Sequence, residues 1–116
     1  MPNPQAALTP AMFNVLLALV DGDKHGYAIL KEVTEHTEGE VQLSTGTLYG
    51  IIKRLLEDGL IAEAASRPAV PRDDQRRRYY HLTDQGREVA VAEARRMAKL
   101  LIRATSKRLL QSLKLA

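Results

Sequence analysis

Hydrophobic residues recur at three- and four-residue intervals in four segments of the chain, and this spacing predicts four helices. The predicted helices cover residues 10–20, 27–36, 45–58 and 84–113. Thr9, Ser44 and Thr83 stand directly before three of these segments, where a hydroxyl can accept hydrogen bonds from free N–H groups. Asp21-Gly22-Asp23, Gly39 and Gly59 follow the first three segments and predict their ends.

Between the third and fourth helices the pattern changes to that of extended chain. Residues 60–65 and 78–82 predict two strands, the second rich in tyrosine. The connecting segment, residues 66–77, contains Pro68 and Pro71, so a long loop joins the strands in place of a two-residue turn. Three helices followed by a hairpin predict a mainly α protein with a small β-hairpin, the winged helix-turn-helix order, in which the third helix enters a DNA major groove.

This order divides the chain into two parts of one compact unit. Residues 1–83 are expected to form the winged-helix DNA-binding domain, and residues 84–116 a long C-terminal dimerisation helix.

The outward face of the third helix carries the chemistry expected of a DNA-reading surface. Two glycines lie on it four residues apart, and each costs up to about 1 kcal/mol relative to alanine in a helix interior. Their small size would let the backbone approach another surface closely. The candidate DNA-binding residues of this helix are Ser44, Thr45, Gly46, Thr47, Tyr49, Gly50, Lys53 and Arg54. The alternative is a solvated helix face with tolerated glycines.

Arginine is concentrated in the predicted hairpin loop. Five arginines, Arg67, Arg72, Arg76, Arg77 and Arg78, lie in or beside it. Guanidinium groups bind phosphate in a bidentate manner and can enter a narrow minor groove, so this loop is a candidate DNA-contacting wing. The alternative is a solvated run of charge.

Composition narrows the function further. The chain has 116 residues and no cysteine, which excludes disulfides and thiolate chemistry. The histidines His25, His36 and His81 fall in separate segments without metal-ligand spacing, so we expect neither an enzyme nor a cofactor.

The longest apolar run, residues 15–20, is far too short to span a membrane, and a cytoplasmic protein is expected. The first 40 residues are net acidic and the last 50 net basic, which suggests a polyanionic partner.

The last helix has more apolar surface than a three-helix domain can cover, which predicts a homodimer. Its expected partners are the same helix and helix one, through Phe13, of a second copy. The other candidate interface residues are Ala94, Met97, Ala98, Leu101, Ile102, Ala104, Leu109 and Leu113. The alternative is a helix that folds back on its own domain. A gap lined by Met97, Leu100 and Leu101 could admit a small-molecule effector, although such residues are more often plain interface core.

Three motifs in order resemble the PadR family of bacterial transcriptional regulators. They are the segment from Leu43 to Ile61 (LSTGTLYGIIKRLLEDGLI), the preceding His25-Gly26-Tyr27, and the following segment from Arg77 to Arg87 (RRYYHLTDQGR). The resemblance covers nearly the whole chain. The sequence departs from many members, which have proline where this chain has Thr45 and Gly50.

The resemblance implies a winged-helix repressor that dimerises through its C-terminal helix and binds an inverted-repeat operator in double-stranded DNA. It assigns residues 45–53 to the DNA-reading helix and places Tyr27 near the phosphate backbone. Drug binding between tryptophans, seen in some members, does not carry over because the chain has no tryptophan and one phenylalanine. The alternative function is a winged-helix adaptor that binds a protein and uses its basic loop for solubility.

Overall fold

The computed structural model describes residues 8–64 and 78–111 of the chain. The helices are α1 (Pro10–Ala18), α2 (Gly26–His36), α3 (Thr45–Glu57) and α4 (Asp84–Ser106), and the strands are β1 (Lys24–His25), β2 (Ile61–Glu63) and β3 (Tyr79–Leu82). The four predicted helices and the two predicted strands are therefore present. Their ends lie within two residues of the predicted positions, except at the C-terminal end of α4.

Side chains that accept hydrogen bonds from the first helical turn define the helix starts. The hydroxyls of Thr9, Ser44 and Thr83 each accept from the backbone N–H three residues further on, at 3.0–3.1 Å, as predicted. The second helix begins differently, because Nδ1 of His25 accepts from the N–H of Ala28 at 3.2 Å. Histidine is not among the preferred N-cap residues, so the sequence pattern did not predict this cap.

The sheet has three antiparallel strands in the order β1-β3-β2. Ile61 pairs with Leu82 and Glu63 with Tyr80, which confirms the predicted hairpin pairing. The strand β1 was not predicted, because two residues are too short to show an alternating pattern. His25 of β1 pairs with Tyr79 of β3, so the start of α2 is joined directly to the central strand of the sheet.

One hydrophobic core joins the helices to the sheet. Its most deeply buried large side chains come from α1, α2, α3, the α3–β2 junction and β2: Val15, Leu16, Ile29, Leu48, Ile52, Leu55, Leu60 and Ile61. The first turns of α4 close this core through Val89 and Ala90. Gly86 allows the approach, since a Cβ there would fall on the carbonyl oxygen of Leu60. The α4 helix is thus anchored at its N-terminal end.

The prediction of where the last helix ends is wrong. Helix α4 ends at Ser106, whereas the apolar pattern predicted a helix to residue 113. Arg108 has a φ of 64°, and the N–H of Leu109 donates to the carbonyl of Ala104 at 2.9 Å. This left-handed residue followed by a six-to-one hydrogen bond is a Schellman ending, which terminates the helix without glycine. Leu109 therefore lies beyond the helix, and Leu113 lies outside the described residues.

Candidate nucleic-acid interface

Helix α3 has one buried and one exposed face. Leu48, Ile52 and Leu55 are buried in the core, and they fix the rotation of the helix about its axis. All eight residues predicted from the sequence, from Ser44 to Arg54, are exposed on the other side. From Thr45 to Arg54 the exposed face contains no acidic residue, and Lys53 makes no ion pair with any residue that the structure describes. This face can therefore approach a polyanion without repulsion between like charges.

The two glycines of this face have no role inside the protein. A Cβ added at Gly46 or at Gly50 would meet no atom within 4 Å. Gly86 is the opposite case, since its Cβ would collide with the backbone of Leu60. Alanine would be more stable than glycine by about 1 kcal/mol in the interior of a helix. The packing of the fold therefore does not explain the missing side chains.

Some of the hydroxyl groups at the start of α3 already form hydrogen bonds within the protein. Ser44 Oγ caps the helix and also donates to Thr47 Oγ1 at 2.9 Å. Near the other end, Arg54 Nε lies 3.5 Å from an Asp58 carboxylate oxygen. The side chains most able to contact an outside partner are therefore Thr45 at the start of the helix and Lys53 one turn before its end.

Two tyrosines flank the exposed face. Tyr27 lies in the first turn of α2 and is exposed, with its ring stacked on that of His25 at 6.5 Å between centroids. Tyr49 points from α3 toward the start of α2, and its side chain is 48% exposed. A Cβ on Gly26 would lie only 2.6 Å from Tyr49 Oη, so the phenol rests against the backbone of α2.

The hairpin lies beside α3, but only its base is described. Arg78 is exposed, and its Nε lies 3.6 Å from a Glu63 carboxylate oxygen across the two strands. The predicted wing residues Arg67, Arg72, Arg76 and Arg77 lie outside the described residues. As predicted, the two tyrosines of β3 point to opposite faces, with Tyr80 buried and Tyr79 half-buried.

Helix α4 continues past the domain with an uncovered apolar surface. Ile102 is 65% exposed and Leu109 77% exposed. Of the other predicted interface residues, Ala94 and Leu101 are exposed, whereas Met97, Ala98 and Ala104 are half-buried. Leu100 is also exposed. Phe13 is 8% exposed and belongs to the core of its own chain, so it has little surface left for a second copy.

An ion pair between a buried carboxylate and an exposed guanidinium lies where α4 leaves the domain. Glu93 is buried, and its two carboxylate oxygens accept from Nε and Nη2 of Arg96 at 2.7 and 2.8 Å. These hydrogen bonds lower the pKa of Glu93 and raise that of Arg96. Sequence reasoning did not single out this pair, although the three-residue spacing of opposite charges was visible.

The described segments, residues 8–64 and 78–111, contain no group of three or more histidine, aspartate or glutamate residues placed to hold a metal ion. Within the same segments no helix is long and apolar enough to cross a membrane.

The geometry defines a class of protein. A helix-turn-helix with an exposed, partly glycine-lined third helix and a basic hairpin beside it is a winged helix of the DNA-binding type. The sequence profile of the family described as "Transcriptional regulator PadR-like family" matches residues 15–92. The chain belongs to this family of transcriptional regulators, which are not enzymes.

Two curated relatives have no assigned activity. An uncharacterised 37.1 kDa protein of transposon TN4556 from Streptomyces fradiae is 39% identical over 93 residues, which are 78% of this chain and 24% of that protein. An uncharacterised protein X from Lysinibacillus sphaericus is 27% identical over 73 residues, 63% of this chain and 64% of that protein. The chain thus spans about a quarter of the first relative and somewhat under two thirds of the second.

Solved structures share the fold along nearly the whole chain. A PadR family transcription regulator from Clostridium difficile is 24% identical, with a TM-score of 0.67 over 88% of this chain and 100% of that one. A transcriptional regulator from Clostridium thermocellum is 22% identical, with a TM-score of 0.68 over 92% and 97%. The winged-helix fold predicted from the sequence is confirmed.

Proposed function

We propose that this DNA-binding regulator is a repressor that binds an inverted-repeat operator as a homodimer. Each copy places α3 in the major groove of one half-site, and the arginines of the hairpin loop contact the neighbouring phosphates. The protein acts where the DNA is, in the cytoplasm.

The pair of α3 glycines is the observation that carries the DNA-reading role. Gly46 and Gly50 face open space and lie in a helix that alanine would stabilise. A groove-inserted helix requires close approach of its backbone, which explains both positions together. An adaptor that binds a protein through another face would not need glycine at these two positions.

The uncovered apolar surface of α4 supports the homodimer. The described part of α4 beyond Ala94 exposes Leu100, Leu101 and Ile102, with Leu109 just past its end. Several large exposed apolar side chains on one short stretch of helix are typical of an interface. A twofold axis relating two such helices gives the isologous contact that most homodimers use.

The DNA-binding proposal is tested by fluorescence anisotropy on two duplexes of equal length. One duplex is the preferred sequence recovered from a randomised pool by the protein, and the other has a scrambled sequence. We expect tighter binding to the recovered duplex and a steep loss of affinity with salt, with a slope of about −0.9 for each phosphate contacted. Recovery of no preferred sequence, together with salt-independent binding, would favour the adaptor.

The repressor role is tested with a reporter gene placed downstream of the recovered sequence. Expression of the protein should lower reporter output, and Lys53→Ala should restore it because the exposed ammonium of Lys53 no longer contacts DNA. Glu35→Ala, an exposed change on α2 away from this face, is the matched control and should repress as the parent does. Higher reporter output with the parent would identify an activator.

The homodimer is tested by sedimentation at micromolar concentration. The parent should sediment at twice the 12.9 kDa chain mass, and Ile102→Glu should shift it toward the monomer because a carboxylate then lies in the apolar contact. A parent that stays monomeric with and without DNA would contradict the dimer.

A further inference from the structure

His25, Tyr27, Tyr49 and Tyr79 lie around the start of α2. His25 stacks on Tyr27, and its ring lies edge-on to that of Tyr79 with 5.4 Å between centroids. Burial raises the pKa of Tyr80, and the nearby Tyr49 phenol adds to this shift. The aromatic groups thus connect the first turn of α2 with both the candidate reading helix and the central strand β3.

The side chain of Tyr49 packs against α2 at Gly26. Gly26 is buried as the first residue of the helix, and a Cβ there would lie 2.6 Å from Oη and 3.0 Å from Cζ of Tyr49. Contacts below 3.0 Å do not occur at real Cβ atoms, so the phenol occupies the space that any other residue at position 26 would fill. The glycine is therefore explained by Tyr49, and not by the backbone, since Gly26 has no positive φ.

This contact joins the first half of α3 to the start of α2. The buried residues Leu48 and Ile52 set the rotation of α3, but Tyr49 bridges its first half to a fixed point on α2. That point is itself held, because the preceding His25 caps α2 and pairs with Tyr79 in the sheet. A side chain at position 26 would therefore press the Tyr49 phenol, and with it the first half of α3, away from α2.

We propose that Tyr49 is a positioning residue of the reading helix and that it acts through its packing contact with Gly26. The two residues together set the angle at which α3 meets DNA. This inference rests on the proposed function. It gives Tyr49 a role different from that of a direct DNA contact, because the contact with Gly26 is made by the ring and its hydroxyl before any DNA is bound.

The test is a double-mutant cycle with the pool-selected and scrambled duplexes described above. Gly26→Ala should lower the preference for the selected duplex by about fivefold or more, the discrimination that one base contact supplies, and leave scrambled-duplex binding unchanged. The melting temperature should stay close to that of the parent, because the buried residues Leu48, Ile52 and Leu55 that anchor α3 in the core are unchanged. Loss of affinity for both duplexes in equal proportion would overturn the proposal.

Variants of Tyr49 separate positioning from direct contact. Tyr49→Phe keeps the ring and should retain the parent's preference, and in this background Gly26→Ala should have a smaller effect because the 2.6 Å contact is gone. In the Tyr49→Ala background, Gly26→Ala should have no further effect.

The cycle has two results that contradict the inference. Additive losses from Gly26→Ala and Tyr49→Ala would show that the two residues act separately, and a loss of preference in Tyr49→Phe equal to that in Tyr49→Ala would assign Tyr49 to a hydrogen bond with DNA. If the parent protein selects no duplex from the randomised pool, the proposed function itself is wrong. This selection is carried out before any variant is made, so the two failures are distinguishable.

Discussion

Replacing Gly50 by alanine should stabilise the protein and weaken its DNA binding. Gly50 lies in the middle of α3, has a helical backbone conformation and faces open space. The substitution therefore adds about 1 kcal/mol of helix stability with no steric cost, which corresponds to a rise of about 4 °C in the melting temperature of a domain of this size.

The effect on DNA has the opposite sign. If the α3 backbone lies against the groove at Gly50, the added methyl group overpacks that contact at a cost of about 1–3 kcal/mol, which is about a five- to 150-fold loss of affinity. Larger good helix formers at the same position, Gly50→Met and Gly50→Leu, should keep the gain in stability and lose affinity further in the order of their size.

The assay combines thermal unfolding with anisotropy on the selected duplex. Gly46→Ala is a companion variant, because it lies in the first turn of α3, where the gain in helix stability is smaller, yet on the same exposed face. Equal DNA affinity of Gly50→Ala and the parent, with the rise in melting temperature present, would refute the close approach of this backbone to DNA.

Three further predictions concern the fold. Gly86→Ala should be among the most destabilising single changes and abolish cooperative unfolding, because its Cβ would meet the Leu60 carbonyl oxygen; circular dichroism checks this. Ser44→Ala should lower unfolding free energy in urea by about 1 kcal/mol through loss of the α3 cap. The depressed pKa of Glu93 stabilises the fold above the ordinary glutamate pKa of 4.5 and loses this effect as pH falls, so the stability difference between parent and Glu93→Gln should shrink in acid.

The elements that the sequence predicted well are those whose local pattern and tertiary environment agree. In α3 the apolar stripe, the Ser44 cap and the glycine at position 59 all specify the same helix, and Gly59 adopts the φ of 75° that its role as a left-handed helix ending requires. The exposed face followed from the same periodicity, because the buried positions determine which residues remain outside.

Contacts between distant segments were not predictable in this way. The pairing of His25 with Tyr79 joins residues more than 50 positions apart, and no local pattern in two residues indicates a strand. The contact of Tyr49 with Gly26 is of the same kind. The sequence showed a glycine at position 26 and an exposed tyrosine at position 49, but only the packing of α2 on α3 shows that one requires the other.

The end of α4 was mispredicted because the local pattern there favours a longer helix. Leucines continue at helical spacing to residue 113, and neither glycine nor proline follows Ser106. The helix nevertheless ends at Ser106, and Arg108 just beyond it adopts a left-handed conformation that costs about 1 kcal/mol for a residue other than glycine. Two hydrogen bonds, from Arg108 to Thr105 and from Leu109 to Ala104, offset that cost. Because the chain turns at Arg108, Leu109 and Leu110 leave the line of α4, so a second copy would have to cover them from a different direction than it covers Ile102.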